Sequence, residues 1–153
     1  DVLINCAGKA IPPESVQEIT LEVWNEIFSI NVGSIFLMTK IVIPLLRKSS
    51  HPVIVNIAST AGITPRPGWS AYGASKASVV NFSLTMAEEL KPYGIKVYCI
   101  APGRTATELR KILAPDEDPK TIMQPEEVAG IIRFLISGRG DCLQGQTIIV
   151  KGN

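Results

Sequence analysis

The sequence predicts an α/β fold, an open parallel sheet with helices on both faces in three layers. Three observations predict it. Short apolar, β-branched runs at 1–5, 53–58, 95–100 and 146–151 alternate with longer segments of helical periodicity. Glycine turns, Ala7-Gly8 and Pro102-Gly103, close two of those runs. Hydrophobic residues make up 46% of the 153 residues against 19% charged, the balance of a buried core rather than of a disordered chain. The length suits a single domain.

Asp1-Val-Leu-Ile-Asn5 reads as a short buried strand. Pro12-Pro13 marks a loop, and Thr20 stands as the N-cap of a helix carrying Val23, Trp24, Ile27 and Phe28. That helix runs on, bent, through Asn31 to Leu46. Asn31 is a poor helix former set between Ile30 and Val32, so a buried carboxamide there needs partners. His51 lies in a Ser-Ser-His-Pro turn and takes no role. The strand 53–58 leads into a loop forced by Pro65, Pro67 and Gly68. Ser70 opens a helix rich in small residues that reaches about Leu90, where Pro92 and Gly94 end it. Its apolar residues occupy more than one stripe, so it packs on its own sheet and on something else. After the strand Ile95–Ile100 comes a segment, 104–120, with mixed turn signals. Gln124-Pro125 then starts a helix with acids in its first turn, running to about Ser137.

Chemistry concentrates between Ile57 and Lys76. Tyr72 and Lys76 are four residues apart, on one face of their helix. Ser59 sits at the end of a strand, where the loop can fold it back toward Tyr72. A phenol, an ammonium and a hydroxyl then converge at the carboxyl end of a strand, where open α/β sheets place ligands. A free phenol, with a pKa of about 10, is a poor acid or base at neutral pH. A neighbouring ammonium lowers that pKa, and a serine hydroxyl bonds a carbonyl oxygen as charge develops on it. The set suits carbonyl/alcohol redox chemistry. A lone Tyr-x-x-x-Lys is more often surface decoration; the strand, serine and Pro/Gly loop around it carry the weight.

The formal net charge of +1 gives no bulk attraction to nucleic acid or to a membrane surface. Cys6, Cys99 and Cys142 are widely separated and odd in number. Cys6 and Cys99 are expected as buried free thiols, with no metal site, in a reducing, cytoplasmic compartment. The stretch from Val32 to Leu46 is broken by Gly33, Ser34, Thr39, Lys40 and Pro44, the pattern of a core or interface helix rather than a membrane span.

Asn5-Cys6-Ala7-Gly8, Asn31-Val32, Ser59, Tyr72-Gly-Ala-Ser-Lys76 and Pro102-Gly103, in this order, resemble the short-chain dehydrogenase/reductase family, and the thirteen-residue gap between Ser59 and Tyr72 matches it. The resemblance implies a Rossmann-like, doubly wound sheet lacking its first βαβ portion, since the family's glycine-rich loop should precede Asp1. It implies NAD or NADP as cofactor and Tyr72 as acid/base. Lys76 would lower the tyrosine's pKa and hold ribose hydroxyls, Ser59 would orient the carbonyl, and Asn31 would bend its helix and support a proton relay. Asn5, Ala7 and Gly8 would lie beside the cofactor's adenosine half, with Cys6 in place of a usual asparagine. Pro102 and Gly103 would approach the nicotinamide, and Thr107 would bond its carboxamide or the phosphates. Thr105 stands where an apolar residue is common, and is included in the cofactor set. The two long helices would form a subunit interface, giving a homodimer or homotetramer.

The implied substrate is a small-molecule carbonyl or alcohol. Its class is open between a sugar phosphate, an acyl-thioester and a small ketone. The run from Pro102 to Arg110 with Ile122–Pro125 looks somewhat like reductases that make sugar-alcohol phosphates. Arg104, Arg110 and Lys111 would then form an anion-binding lid. The other reading is a non-catalytic fragment or interaction domain that keeps the fold.

Overall fold

The computed structural model describes residues 1–152. Strands β1 (Val2–Asn5), β2 (Val53–Ile57), β3 (Lys96–Pro102) and β4 (Thr147–Val150) form one sheet in the order β1-β2-β3-β4, every neighbour parallel. Parallel neighbours need crossovers, and each crossover here carries helix. Helices α1 (Leu21–Phe28) and α2 (Ser34–Leu46) follow β1, α3 (Ser70–Leu90) follows β2, and α4 (Glu108–Leu113) and α5 (Pro125–Ile136) follow β3.

The pleat sorts the strand residues between two helical layers. Ile54 and Val97 face α2 and α3, packing with Leu46, Ala87 and Leu90. Val53, Val55, Tyr98 and Ile100 face the other way, onto Val128 and Leu135 of α5. Helices therefore cover both faces of a parallel sheet, the three-layer, doubly wound arrangement of a Rossmann-like fold. β3 runs to Pro102, beyond the expected Ile100, because Ala101 and Pro102 pair with Ile149 and Val150 of β4.

Two expectations are corrected. β1 is not a buried strand. Leu3 packs against the core, but Val2 and Ile4 remain 42% and 43% exposed, because the apolar cluster under α5 stops short of β1. Cys6 is exposed, while Cys99 is buried as expected. Cys6 lies one residue past the last paired position of β1, where the chain leaves the sheet.

The expected bend at Asn31 takes the form of a π-turn, Ser29–Gly33, joining α1 to α2. A widened turn places Asn31 inward, fully buried. The combined helix from Leu21 to Leu46 is long and apolar enough, by length and composition, to cross a membrane. It nevertheless lies along the sheet through Ile35 and Leu46, leaving Phe36, Leu37, Met38, Ile41 and Leu45 exposed.

Candidate active site

Ser59 has an extended backbone and caps a short 3₁₀ turn, Thr60–Gly62, its Oγ accepting the Ala61 N–H at 3.1 Å. This turn lies directly on α3. A Cβ on Gly62 would stand 2.6 Å from the Lys76 carbonyl carbon and from the Ala77 nitrogen. A Cβ on Gly73 would likewise come within 3.1 Å of the Ala61 oxygen. Main chain thus rests on main chain, and the serine turn is seated against the first turns of the helix that bears Tyr72 and Lys76.

Both side chains are buried, Tyr72 at 6% exposure and Lys76 at 3%. Lys76 Nζ donates to the Ile57 carbonyl at 2.9 Å and lies 6.0 Å from the centre of the Tyr72 ring. Trp69 meets that ring edge-on at 6.2 Å. Burial lowers the lysine's pKa to about 8, since an ammonium loses hydration there. Burial also raises the Tyr72 phenol, against an opposing pull from Ser59 and then Arg110. The expected lowering of the phenol by Lys76 is therefore not seen: desolvation outweighs the pull of Ser59 and Arg110, and Lys76 is not among the groups that lower it.

Asn31 closes the floor behind this pair. Its Oδ1 accepts the Lys9 N–H at 2.6 Å, while Nδ2 donates to the Lys9 carbonyl and to Ser75 Oγ, each at 2.9 Å. Ser75 Oγ in turn donates to the Tyr72 carbonyl at 2.7 Å. One carboxamide so ties the π-turn, the loop after β1 and the start of α3. Gly8 completes the floor, because a Cβ there would lie 3.4 Å from Lys76 Nζ and 3.6 Å from Asn31 Oδ1.

A cavity of about 410 Å³ opens in front of these groups, at the carboxyl ends of the strands. Of the expected residues, Ser59, Tyr72, Lys76, Gly8, Pro102, Gly103, Thr105 and Thr107 line it, together with Cys6. Asn31 stands behind the wall. Asn5 and Ala7 lie off the cavity, and the Asn5 amide donates instead to Asn56 Oδ1 at 2.7 Å, lacing β1 to β2. Thr107 also caps α4, accepting the Arg110 N–H at 3.2 Å.

The lid arginines are not free forks. Glu117 takes two bonds from Arg110, at 2.5 and 2.8 Å, and one from Arg104 at 3.2 Å. Arg110 in particular is held to the protein's own carboxylate. The same glutamate's pKa is lowered, chiefly by its hydrogen bond to Arg110.

Sequence reasoning gave no role to Ser75, Trp69, Arg66 or Asn56. The last had a visible signal, a polar residue inside the run Val-Ile-Val-Asn-Ile; it is fully buried and donates to Ser83 Oγ at 2.9 Å. Trp69 is flanked by two guanidiniums, Arg66 at 5.4 Å and Arg110 at 5.6 Å from its ring.

Known proteins share this sequence pattern and fold. The short chain dehydrogenase family profile matches residues 1–118. Human dehydrogenase/reductase SDR family member 4 is 35% identical over 99% of this chain and 58% of its own length. The 3-ketoacyl-(acyl-carrier-protein) reductase of Brucella melitensis, complexed with NADH, superposes with a TM-score of 0.91 at 30% identity, over 100% of this chain and 66% of that one. A short chain dehydrogenase structure from Escherichia coli CFT073, complexed with NADPH, gives 0.91 at 29% identity, over 97% of this chain and 62% of that one. The chain thus spans about three fifths of the length of the curated relatives it matches.

Proposed function

This chain belongs to the short-chain dehydrogenase family, and from that premise we propose that it carries the catalytic residues of an oxidoreductase acting on a carbonyl or alcohol with NAD or NADP. The observation that carries this reading is the convergence of Ser59, Tyr72 and Lys76 on one cavity. The residues present fit the nicotinamide–ribose end of such a cofactor. Gly8 leaves space beside Lys76 Nζ that a side chain would take, and Pro102, Gly103, Thr105 and Thr107 line the same cavity. When bound, the cofactor supplies or accepts the hydride.

The chain's own groups do the rest. The Tyr72 phenol gives a proton to the carbonyl oxygen in reduction and takes it back in oxidation. Ser59 Oγ donates a hydrogen bond to that oxygen as negative charge develops on it. Lys76, while protonated, favours the phenolate and donates to ribose hydroxyls. Asn31 is a positioning residue that fixes the loop after β1 against α3 and supports proton relay behind Lys76. Ile57, Trp69, Leu109, Leu113 and Val128 among the lining residues favour an aliphatic or acyl substrate, an acyl-thioester or small ketone, over a polyhydroxylated sugar phosphate.

The exposed apolar stripe of α2 (Phe36, Leu37, Met38, Ile41 and Leu45) supports assembly as a homodimer or homotetramer. A cytoplasmic location agrees with three unpaired cysteines. The full-length protein, supplied with NADH or NADPH and a panel of 3-oxoacyl thioesters and small ketones, should consume the reduced cofactor. Absence of turnover with both cofactors, in a protein that binds them, would support a non-catalytic domain of the same fold instead.

A further inference from the structure

Beside the catalytic cavity lies a second recess of about 300 Å³. The two share Thr60, Arg66, Gly103 and Arg104 as a common wall, so the second space adjoins the one that holds Ser59 and Tyr72. Met123, Lys151 and Gly152 close its far side. That side is tight: a Cβ on Gly152 would stand 2.8 Å from Met123 Cγ. The Lys151 stem crosses near Gly103, where a Cβ would lie 3.6 Å from Lys151 Cγ.

The recess is cationic. Arg66, Arg104 and Lys151 line it, and among the described residues no Asp or Glu does. The nearby carboxylate, Glu117, is already shared between Arg110, which takes two bonds, and Arg104, which takes one. Among the described residues Arg66 and Lys151 have no carboxylate partner, and Arg66 is held over the Trp69 ring at 5.4 Å. Single exposed cations bind little. Three of them converging on a concave space, with one shared counter-charge beside it, leave a surplus of positive charge and of N–H donors facing one volume.

We propose that this recess receives a terminal oxyanion, a carboxylate or phosphate, at the far end of the substrate, an inference that relies on the oxidoreductase reading for the reacting end. The Arg66 guanidinium matches either oxyanion through paired N–H donors, Arg104 adds the N–H groups that its one bond to Glu117 leaves over, and Lys151 adds a point charge. The anion site therefore lies on the far side of the Pro102-Gly103 turn, and the expected lid fork at Arg110 has no part in it.

The test is a calorimetric titration of the full-length protein with inorganic phosphate and, separately, with succinate. One site per chain is expected, weakened tenfold or more in Arg66→Gln and in Lys151→Gln and unaltered in Lys120→Gln, an exposed charge outside the recess. Tighter phosphate binding identifies a phosphorylated substrate, and tighter succinate binding a carboxylated one. A second arm compares KM for a keto acid and its methyl ester; the preference for the acid should fall at least tenfold in both glutamine variants. No heat with either anion, or equal affinity in all proteins, overturns the proposal. Anion binding with the expected variant pattern in a protein that reduces no carbonyl would overturn the oxidoreductase reading and leave the recess standing.

Discussion

The cavity has a floor and a rim, and they are built by opposite means. On the floor, Asn31, Ser75, Tyr72 and Lys76 are all buried; hydrogen bonds join Asn31, Ser75 and the Tyr72 carbonyl, and Lys76 is anchored separately on the Ile57 carbonyl. At the rim, Arg66, Arg104, Arg110 and Glu117 are held by ion pairs and by stacking on Trp69. Buried hydrogen bonds are directional and little affected by salt, and their loss leaves unpaired groups that cannot reach water. Of the rim ion pairs, Arg104–Glu117 has an exposed arginine and is open to screening, while Arg110–Glu117 is more enclosed. The floor is suited to fixing the geometry of a proton transfer, and the rim to accommodating the variable end of a substrate.

The largest expected effect tests the floor directly. Tyr72→Phe in the full-length enzyme should lower kcat by about 10²–10⁴-fold while cofactor affinity stays within a few-fold, because the proton donor goes but the ring still packs. Activity within tenfold of wild type would remove Tyr72 from the mechanism. Asn31→Ala comes next. It strands the Lys9 N–H and carbonyl and removes one of the two bonds at Ser75 Oγ, and should cost about 2–4 kcal/mol in urea unfolding. A loss below roughly 1 kcal/mol would show that water replaces the carboxamide and that the floor is not built as described.

Lys76 sharpens the contrast through pH. Its folded pKa, about 8, lies below the ordinary 10.5, so between those values the unfolded chain binds the proton more firmly. This lysine therefore costs stability at neutral pH, and that cost disappears as pH rises from about 8 toward 10.5. Lys76→Met should be more resistant to urea at pH 7, by roughly 1–3 kcal/mol. The advantage should shrink above pH 8; a difference constant from pH 7 to 10 would contradict the buried ammonium.

The smallest effect belongs to the rim. Glu117→Gln should cost about 1 kcal/mol, falling with added salt. Glu117's depressed pKa gives a contribution present above its ordinary 4.5 and lost as pH falls through the folded value, so the variant should match wild type in acid. The same change frees Arg104 and should tighten phosphate binding. A loss as large as that of Asn31→Ala would erase the distinction between floor and rim.

The floor was largely legible in the sequence and the rim was not. Strand and helix periods bring Ser59, Tyr72 and Lys76 to one strand end, the family resemblance adds Asn31 beside them, and the structure has Asn31 buried behind the cavity that the other three line. Periodicity does not record pairings across irregular chain. Arg110 meets Glu117 seven residues on, and Arg104 meets it thirteen on, through a turn with no repeating pattern. The direction of the Tyr72 pKa departs from the expectation because spacing reports a neighbouring charge but not the depth of burial of the phenol. Cys6 was misplaced for a related reason: adjacency to an apolar run says nothing about whether the chain has already left the sheet.

The seating of Gly62 and Gly73 has a consequence for how this scaffold tolerates change. Because the serine turn meets α3 backbone to backbone, the separation of Ser59 from Tyr72 and Lys76 depends on two residues without side chains. Side chains that only line the cavity do not set that separation. Mutational drift can therefore rework the walls and lid for new substrates while reaction geometry is inherited unchanged, and a single added methyl at Gly62 would close that route.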